Sequence, residues 1–333
     1  RSDKNIVECL NRMRPALPQS EADPDSLGNV AVYHSNGWEG VRRTGAHWAG
    51  DLPEADAHKY FEAVKEKMQQ EGWDFESEKT KVLMLTNNVL ASEQGYKTLA
   101  ACFRNTDDYL KKNNAYIRYL LDVVEPMVTA FELRQYGDLF QVVSQKFPHL
   151  SSQQDKKLWA DDLTRLSDLR GTGTIGDVLD LLSESKRPRL SSKVETSELR
   201  YKQLLVMNED DLDDIDKKTL SKISNIRAVK YEELVSLRAY IEDKTPFSTK
   251  HGVKGAQFDN VLVVCGRGWN HYNWNQMLEW FDGGPPKNKQ DTFERNRNLF
   301  YVASSRAKHN LTLLFTQDLS GDALAVLSHM FEQ

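Results

Sequence analysis

The sequence predicts an α/β fold: a parallel-sheet domain interrupted by a long helical insertion. Three observations carry this expectation. Strand-like runs alternate with helical stretches up to about residue 104, the pattern of a parallel sheet covered by helices. From 105 to 243, leucine-rich helical segments follow one another without a convincing strand. Strand character then returns at Asp259–Cys265 and Asn310–Thr316. The expected organisation is therefore an α/β first part over 1–104, a helical insertion over 105–243 and an α/β second part over 244–333. A chain of 333 residues, 39% hydrophobic and 28% charged, has room for two domains and is too long for one small module.

Each element has its own signal. Ile6, Val7, Leu10 and Met13 recur at three- and four-residue spacing, one face of a helix spanning 4–16. Asn29–His34 is a strand-like run after a loop rich in Pro, Asp, Ser and Gly. Residues 57–70 are helical by pattern, with Gly72 as the stop. Lys81–Thr86 is a short apolar run ending in Asn87 and Asn88, and a helical stretch continues to about Phe103. In the insertion, Tyr109–Leu121, Val123–Phe140 and Lys157–Arg170 read as helices.

Composition narrows the function classes. A net charge of -5 lacks the strongly basic balance that marks a nucleic-acid binder from bulk charge. Phosphates, however, are met by a groove and not by the whole surface. No apolar run is long enough for a membrane span, and no signal peptide is visible. Three widely spaced cysteines, Cys9, Cys102 and Cys265, point to a reducing, cytoplasmic compartment and against a disulfide framework. The eight histidines show no ligand-spaced pair combined with cysteine, so no metal site is expected.

Two segments imitate motifs. Gly171-Thr-Gly-Thr-Ile-Gly176 matches G-x-G-x-x-G, but no strand precedes it, and Asp177 and Val178 stand where a P-loop needs Lys and Ser/Thr. It reads as a glycine hairpin between two helices, with Thr174 or Gly176 opening the second; the other reading is a helix-hairpin-helix contact to a DNA backbone. The acidic run Glu209–Asp216 lacks the turn glycine and closing glutamate of an EF-hand loop and reads as a solvated helix face.

Two further segments are more specific. Ser248–Asn260 is a polar loop running into a strand, and its Thr249, His251 and Lys254 lie among glycines that let backbone N–H groups approach a ligand. That chemistry suits phosphates. In Glu294–Lys308, Leu299, Phe300, Val302 and Ala303 supply a buried helix face, while Arg297 and Arg306 project elsewhere. A guanidinium presented from a packed helix beside a phosphate-binding loop is the arrangement of an arginine finger.

At these residues the sequence resembles UvrD/Rep-type superfamily 1A helicases. The first segment resembles their motif V (Thr-x-His-x-x-Lys-Gly-x-Glu-Phe) and the second their motif VI (Arg-x-Leu-x-Tyr-Val-Ala-x-Thr-Arg-Ala). Arg1-Ser2 resembles the tail of motif IV, and Leu83–Asn88 the strand just after it that lies near single-stranded DNA. The resemblance implies a RecA-like domain 2A carrying a helical domain 2B, the C-terminal half of a longer 3′-to-5′ ATP-dependent helicase. The Walker A and B groups, and with them most of the ATP and magnesium site, would lie in the N-terminal RecA-like half, so this stretch alone is expected to be inactive. Arg1 and Arg306 would contact the γ-phosphate, and Gly255 and Gln257 would help bind the nucleotide. Thr249, His251 and Lys254 would meet DNA, single-stranded or partly duplex, with Asn87, Asn88 and Trp269 as further contacts.

Several departures and alternatives stand beside this. Gln257 replaces the glutamate that contacts the ribose, Ser305 replaces threonine, and Asn298 stands where arginine is common. Arg297 either serves the site or pairs with an acid across the core. His251 is either a DNA contact or a core histidine, and Lys254 either meets the ligand or shapes its loop. Trp269, Tyr272 and Trp274 either stack bases or are buried. The patch Lys186–Arg189 with Lys193 either touches duplex DNA or is a solvated linker. The tryptophan-rich segment after motif V also resembles helicase-like proteins that accompany OLD-type nucleases in Gabija-type antiphage defence. Gln257 keeps open a non-catalytic helicase-like subunit that senses DNA or nucleotide or scaffolds a nuclease, against which the intact Arg306 argues.

Overall fold

The computed structural model describes all residues except 1, 22, 46–47, 85–92, 145–151, 249–255, 267–271 and 332–333. The chain divides into two compact units, Arg1–Glu93 with Asp243–Gln333, and Gln94–Glu242. The helical unit begins at Gln94 rather than at 105. Short helices there already belong to it: Leu99 donates its backbone N–H to Glu233 at 2.9 Å, and the buried Tyr96 packs on Tyr240 at 5.9 Å between ring centroids.

In the first unit, helix α1 (Lys4–Met13) buries Ile6, Val7, Cys9, Leu10 and Met13. It stops three residues before the expected end because Pro15 has no N–H to continue it. Strand β1 (Asn29–His34), helix α2 (Glu54–Gln70) and strand β2 (Thr80–Met84) follow. Gly72, at φ +92, takes the left-handed conformation that ends α2.

The helical unit then runs through α3 (Lys97–Ala101), α4 (Asp107–Leu110) and α5 (Ala115–Tyr119). A π-turn at Leu120–Val124 joins α5 to α6 (Glu125–Glu132), followed by α7 (Tyr136–Ser144). The expected single helix over Val123–Phe140 is thus broken, at Arg134 with φ +57. Next come α8 (Gln153–Thr172), α9 (Ile175–Ser185), α10 (Ser192–Leu205), α11 (Asp214–Ala228) and α12 (Tyr231–Ile241). The glycine segment is the expected hairpin. Gly173 ends α8, and Thr174 caps α9 in a reciprocal capping box with Asp177. The acidic run is not a helix face: it forms a 3₁₀ turn at Glu209–Asp211, then the Asp213 cap and first turn of α11. Carboxylates are favoured there by the free N–H groups and the helix dipole.

The chain returns to the first unit with β3 (Phe247–Ser248), β4 (Phe258–Cys265), α13 (Trp274–Gly283), α14 (Gln290–Ser304), β5 (Ala307–Phe315) and α15 (Gly321–Phe331). The five strands form one parallel sheet in the order β1-β5-β4-β2-β3. Its central strands bury Val261, Leu262, Val263, Leu311, Leu313 and Leu314. These near-continuous apolar runs fit a sheet covered on both faces. Among the described residues, no helix is long and apolar enough to cross a membrane.

Candidate functional site

The N-terminal ends of β4 and β5 lie side by side, and the two described residues singled out from the sequence meet there. Helix α14 places its apolar side chains, Phe293, Leu299, Phe300 and Ala303 among them, against the core. This packing fixes the turn Ser305–Arg306 at the mouth of β5. The Arg306 Nε donates to the Val302 carbonyl at 2.9 Å, one turn back. Nη1 donates to the Ala256 carbonyl at 3.2 Å and Nη2 to Ser305 Oγ at 3.0 Å. Gln257 Nε2 donates to the Ser305 carbonyl at 3.4 Å, and the Phe258 N–H bonds the Arg306 carbonyl at 2.8 Å. Ser305 Oγ itself donates to the Val302 carbonyl, a bond that the departure from threonine leaves possible.

Among the described residues no carboxylate pairs with Arg306, and burial pulls its guanidinium below the usual arginine value. A partly dehydrated cation held by neutral oxygens can still take an anion. Residues 2 and 3 are tied to the same place: Ser2 Oγ donates to the Ala307 carbonyl at 2.5 Å and the Asp3 N–H to the Lys308 carbonyl at 2.9 Å. Sequence reasoning did not find these supports, because backbone carbonyls carry no side-chain signal.

The other expected site residues, Arg1, Asn87, Asn88, Thr249, His251, Lys254, Gly255 and Trp269, lie outside the described residues. Arg297 is paired, but not across the core: its acid is Glu294, 2.6 Å away and one turn earlier on α14, and its guanidinium lies over Phe293. Trp274 is fully buried, with its indole N–H on the Gly266 carbonyl at 2.8 Å, and Tyr272 stacks on it at 5.9 Å. Burial is therefore the role of Trp274. In the basic patch, Arg187 bonds Asp162 at 3.0 Å and so helps hold the helical unit together.

A three-residue group that contains no cysteine lies on and beside α2. His58, Glu62 and Glu93 place potential metal-ligand atoms within 4.8 Å of one another. Its signal was the four-residue spacing of His58 and Glu62 on one helix face. The carboxylates already have cationic or hydrogen-bonding partners: Glu93 contacts His58 at 2.8 Å and Glu62 contacts Lys65 at 3.1 Å.

The parallel sheet is that of a RecA-like domain, with an arginine at the head of its last strand. Residues 51–318 match the family model of the UvrD-like helicase C-terminal domain, and the chain belongs to that family. It is also similar to the Gabija protein GajB of Bacillus cereus (strain HuB5-5), with 23% identity over 381 residues, covering 99% of this chain and 50% of that protein. The chain thus spans about half the length of the curated relative it matches.

Proposed function

We propose that this chain is the C-terminal motor half of an ATP-dependent DNA helicase or translocase serving antiphage defence. What supports this most is Arg306, a partly dehydrated guanidinium without a carboxylate partner among the described residues, held beside Gln257 at the mouths of β4 and β5. In this reading Arg306 and Arg1 stabilise charge on the γ-phosphate of ATP, with Gly255 and Gln257 at the nucleotide. Magnesium and the attacking water belong mainly to the N-terminal RecA-like half. Thr249, His251 and Lys254 grip the DNA backbone, with Asn87, Asn88 and Trp269 beside them, so that closure around nucleotide moves the strand. An OLD-type nuclease is the proposed partner.

The test is ATP hydrolysis by the full-length protein with and without single-stranded DNA. DNA-stimulated turnover is expected, and Arg306→Ala should lower it about 10³-fold or more, the scale of an arginine finger. Turnover unaffected by that variant would end the motor reading. A second reading, a non-catalytic subunit that senses nucleic acid or scaffolds a nuclease, draws on Gln257, which keeps an acceptor oxygen but lacks the charge of glutamate. That reading expects DNA binding without hydrolysis in the same assay.

A further inference from the structure

Between β1 and α2, the described residues of 35–53 extend the sheet beyond the C-terminal end of β5. Arg42 bolts this stretch down. Its side chain, 15% exposed, donates to the Ser35 carbonyl at 2.6 Å, the Gly50 carbonyl at 3.2 Å and the Thr316 carbonyl at 3.3 Å. Arg43 and its opposite residues exchange backbone bonds, Arg43 N–H to the Asp51 carbonyl at 2.8 Å and Gly50 N–H to the Arg43 carbonyl at 3.0 Å. The Asp318 N–H then bonds the Gly50 carbonyl at 2.8 Å, continuing the ladder.

The adjacent arginine does something different. The Arg43 guanidinium lies over Trp48, its Cζ 3.9 Å from the ring centroid, and among the described residues no carboxylate pairs with it. Trp38 stands on the same stretch, with the Arg42 guanidinium 5.7 Å from its ring. All three side chains, Trp38, Arg43 and Trp48, are half-buried, and Val41 between them is 86% exposed. The stretch also reaches the start of the aromatic segment after β4: a side chain on Gly266 would meet Asp51 Oδ2 at 3.3 Å. In open parallel sheets ligands bind outside the carboxyl ends of the strands, and this edge is opposite the one that carries Arg306.

We infer that Trp38, Arg43 and Trp48 form a binding platform for single-stranded nucleic acid, with the indoles stacking on bases and Arg43 meeting a phosphate. The inference rests on the helicase reading and adds to it a contact on a segment outside motifs IV, V and VI. An unneutralised guanidinium alternating with indole faces matches the alternation of phosphate and base along a strand.

The experiment is anisotropy of a labelled oligo-dT strand, and of an abasic strand of equal length, with the full-length protein across a salt series. Trp48→Ala should weaken oligo-dT binding about 5- to 100-fold, the range for one lost base stack, and leave abasic binding unchanged. Trp48→Phe should recover most of the loss, which separates stacking from misfolding. Arg43→Gln should weaken both strands and reduce the logarithmic salt slope by about 0.7. If the wild-type protein binds oligo-dT and Trp38→Ala, Trp48→Ala and Arg43→Gln all stay within twofold of it, the platform is overturned while the helicase reading stands. Equal loss on the abasic strand in Trp48→Ala would also overturn it. Wild-type protein that neither binds oligo-dT nor hydrolyses ATP would remove both readings.

Discussion

The two units hold themselves together by different means. At the centre of the sheet, Val261, Leu262, Val263, Leu311 and Leu313 exclude water, and the buried Thr312 hydroxyl among them turns to Met68 Sδ. The helical unit instead centres on buried ion pairs, whereas the buried Lys81 of β2 reaches the exposed Asp243. Glu125 on α6, with no exposed surface, takes Arg170 of α8 through two bonds at 3.0 and 2.9 Å and Arg238 of α12 at 3.3 Å. A second network joins Arg227 to Glu198 and to Asp180, and Tyr116 donates to Glu198 at 2.9 Å. Strands gain register from the ladder between them, whereas short helices have no such ladder, and charged pairs give their packing a direction. Such pairs are costly to dehydrate and still more costly to break.

The contrast can be broken first at Glu125. Glu125→Ala leaves two arginines facing an empty buried site and should destabilise the helical unit by about 3–5 kcal/mol. Hydrogen exchange should rise across α5, α6, α8 and α12, with the sheet strands unchanged. The cysteines give a second readout. Burial raises all three thiols, Cys9 to about 11, so they label slowly while folded. Cys102, in the helical unit, should become reactive in Glu125→Ala while Cys265 stays protected. Exposure of both thiols would show that the units do not unfold separately.

The converse substitution is Leu313→Ala in β5. A cavity at a fully buried leucine costs about 2–5 kcal/mol, and here Cys265 should label while Cys102 stays slow. The smallest effect is expected at the hairpin between α8 and α9. Thr174→Ala removes the capping box at a cost of about 1 kcal/mol, seen as a small fall in the denaturation midpoint of the helical unit. Bonds from Thr174 hold the Asp177 carboxyl below its usual value. Its contribution is therefore complete above the ordinary carboxylate range and is lost as pH falls through the lowered value. Acid titration of stability should be shallower in Thr174→Ala than in the wild-type protein.

Much of the fold was legible because its signals are local. The apolar runs at β2, β4 and β5 and the periodic faces of α1 and α2 match the observed elements to within a few residues. The glycine hairpin was legible from the residues a P-loop would have needed and did not have. The π-turn after α5, the break at Arg134 and the earlier start of the helical unit were not: the break is a local turn in which the Gln135 N–H bonds the Ala130 carbonyl, and the earlier start rests on Glu233 and Tyr240, distant in sequence. At the candidate site, Arg306 and Gln257 stood out by residue type and motif, while Ala256, Val302 and Ser2 act through backbone position or a small hydroxyl. The pair Arg42 and Arg43 makes the same point more sharply. They are adjacent and chemically identical, yet one is spent on three carbonyl oxygens at the base of its loop and the other rests on an indole.

The sequence by itself determined the α/β class, the helical interruption and the helicase family, since periodicity and motif spacing are properties of the chain alone. Only the tertiary structure decided which arginines are neutralised and which keep their charge available. Arg297, Arg170 and Arg187 face carboxylates, whereas Arg306 and Arg43 have none among the described residues. The reason is physical. The value of a charge depends on what surrounds it within a few ångströms, and folding brings those neighbours from positions up to hundreds of residues away.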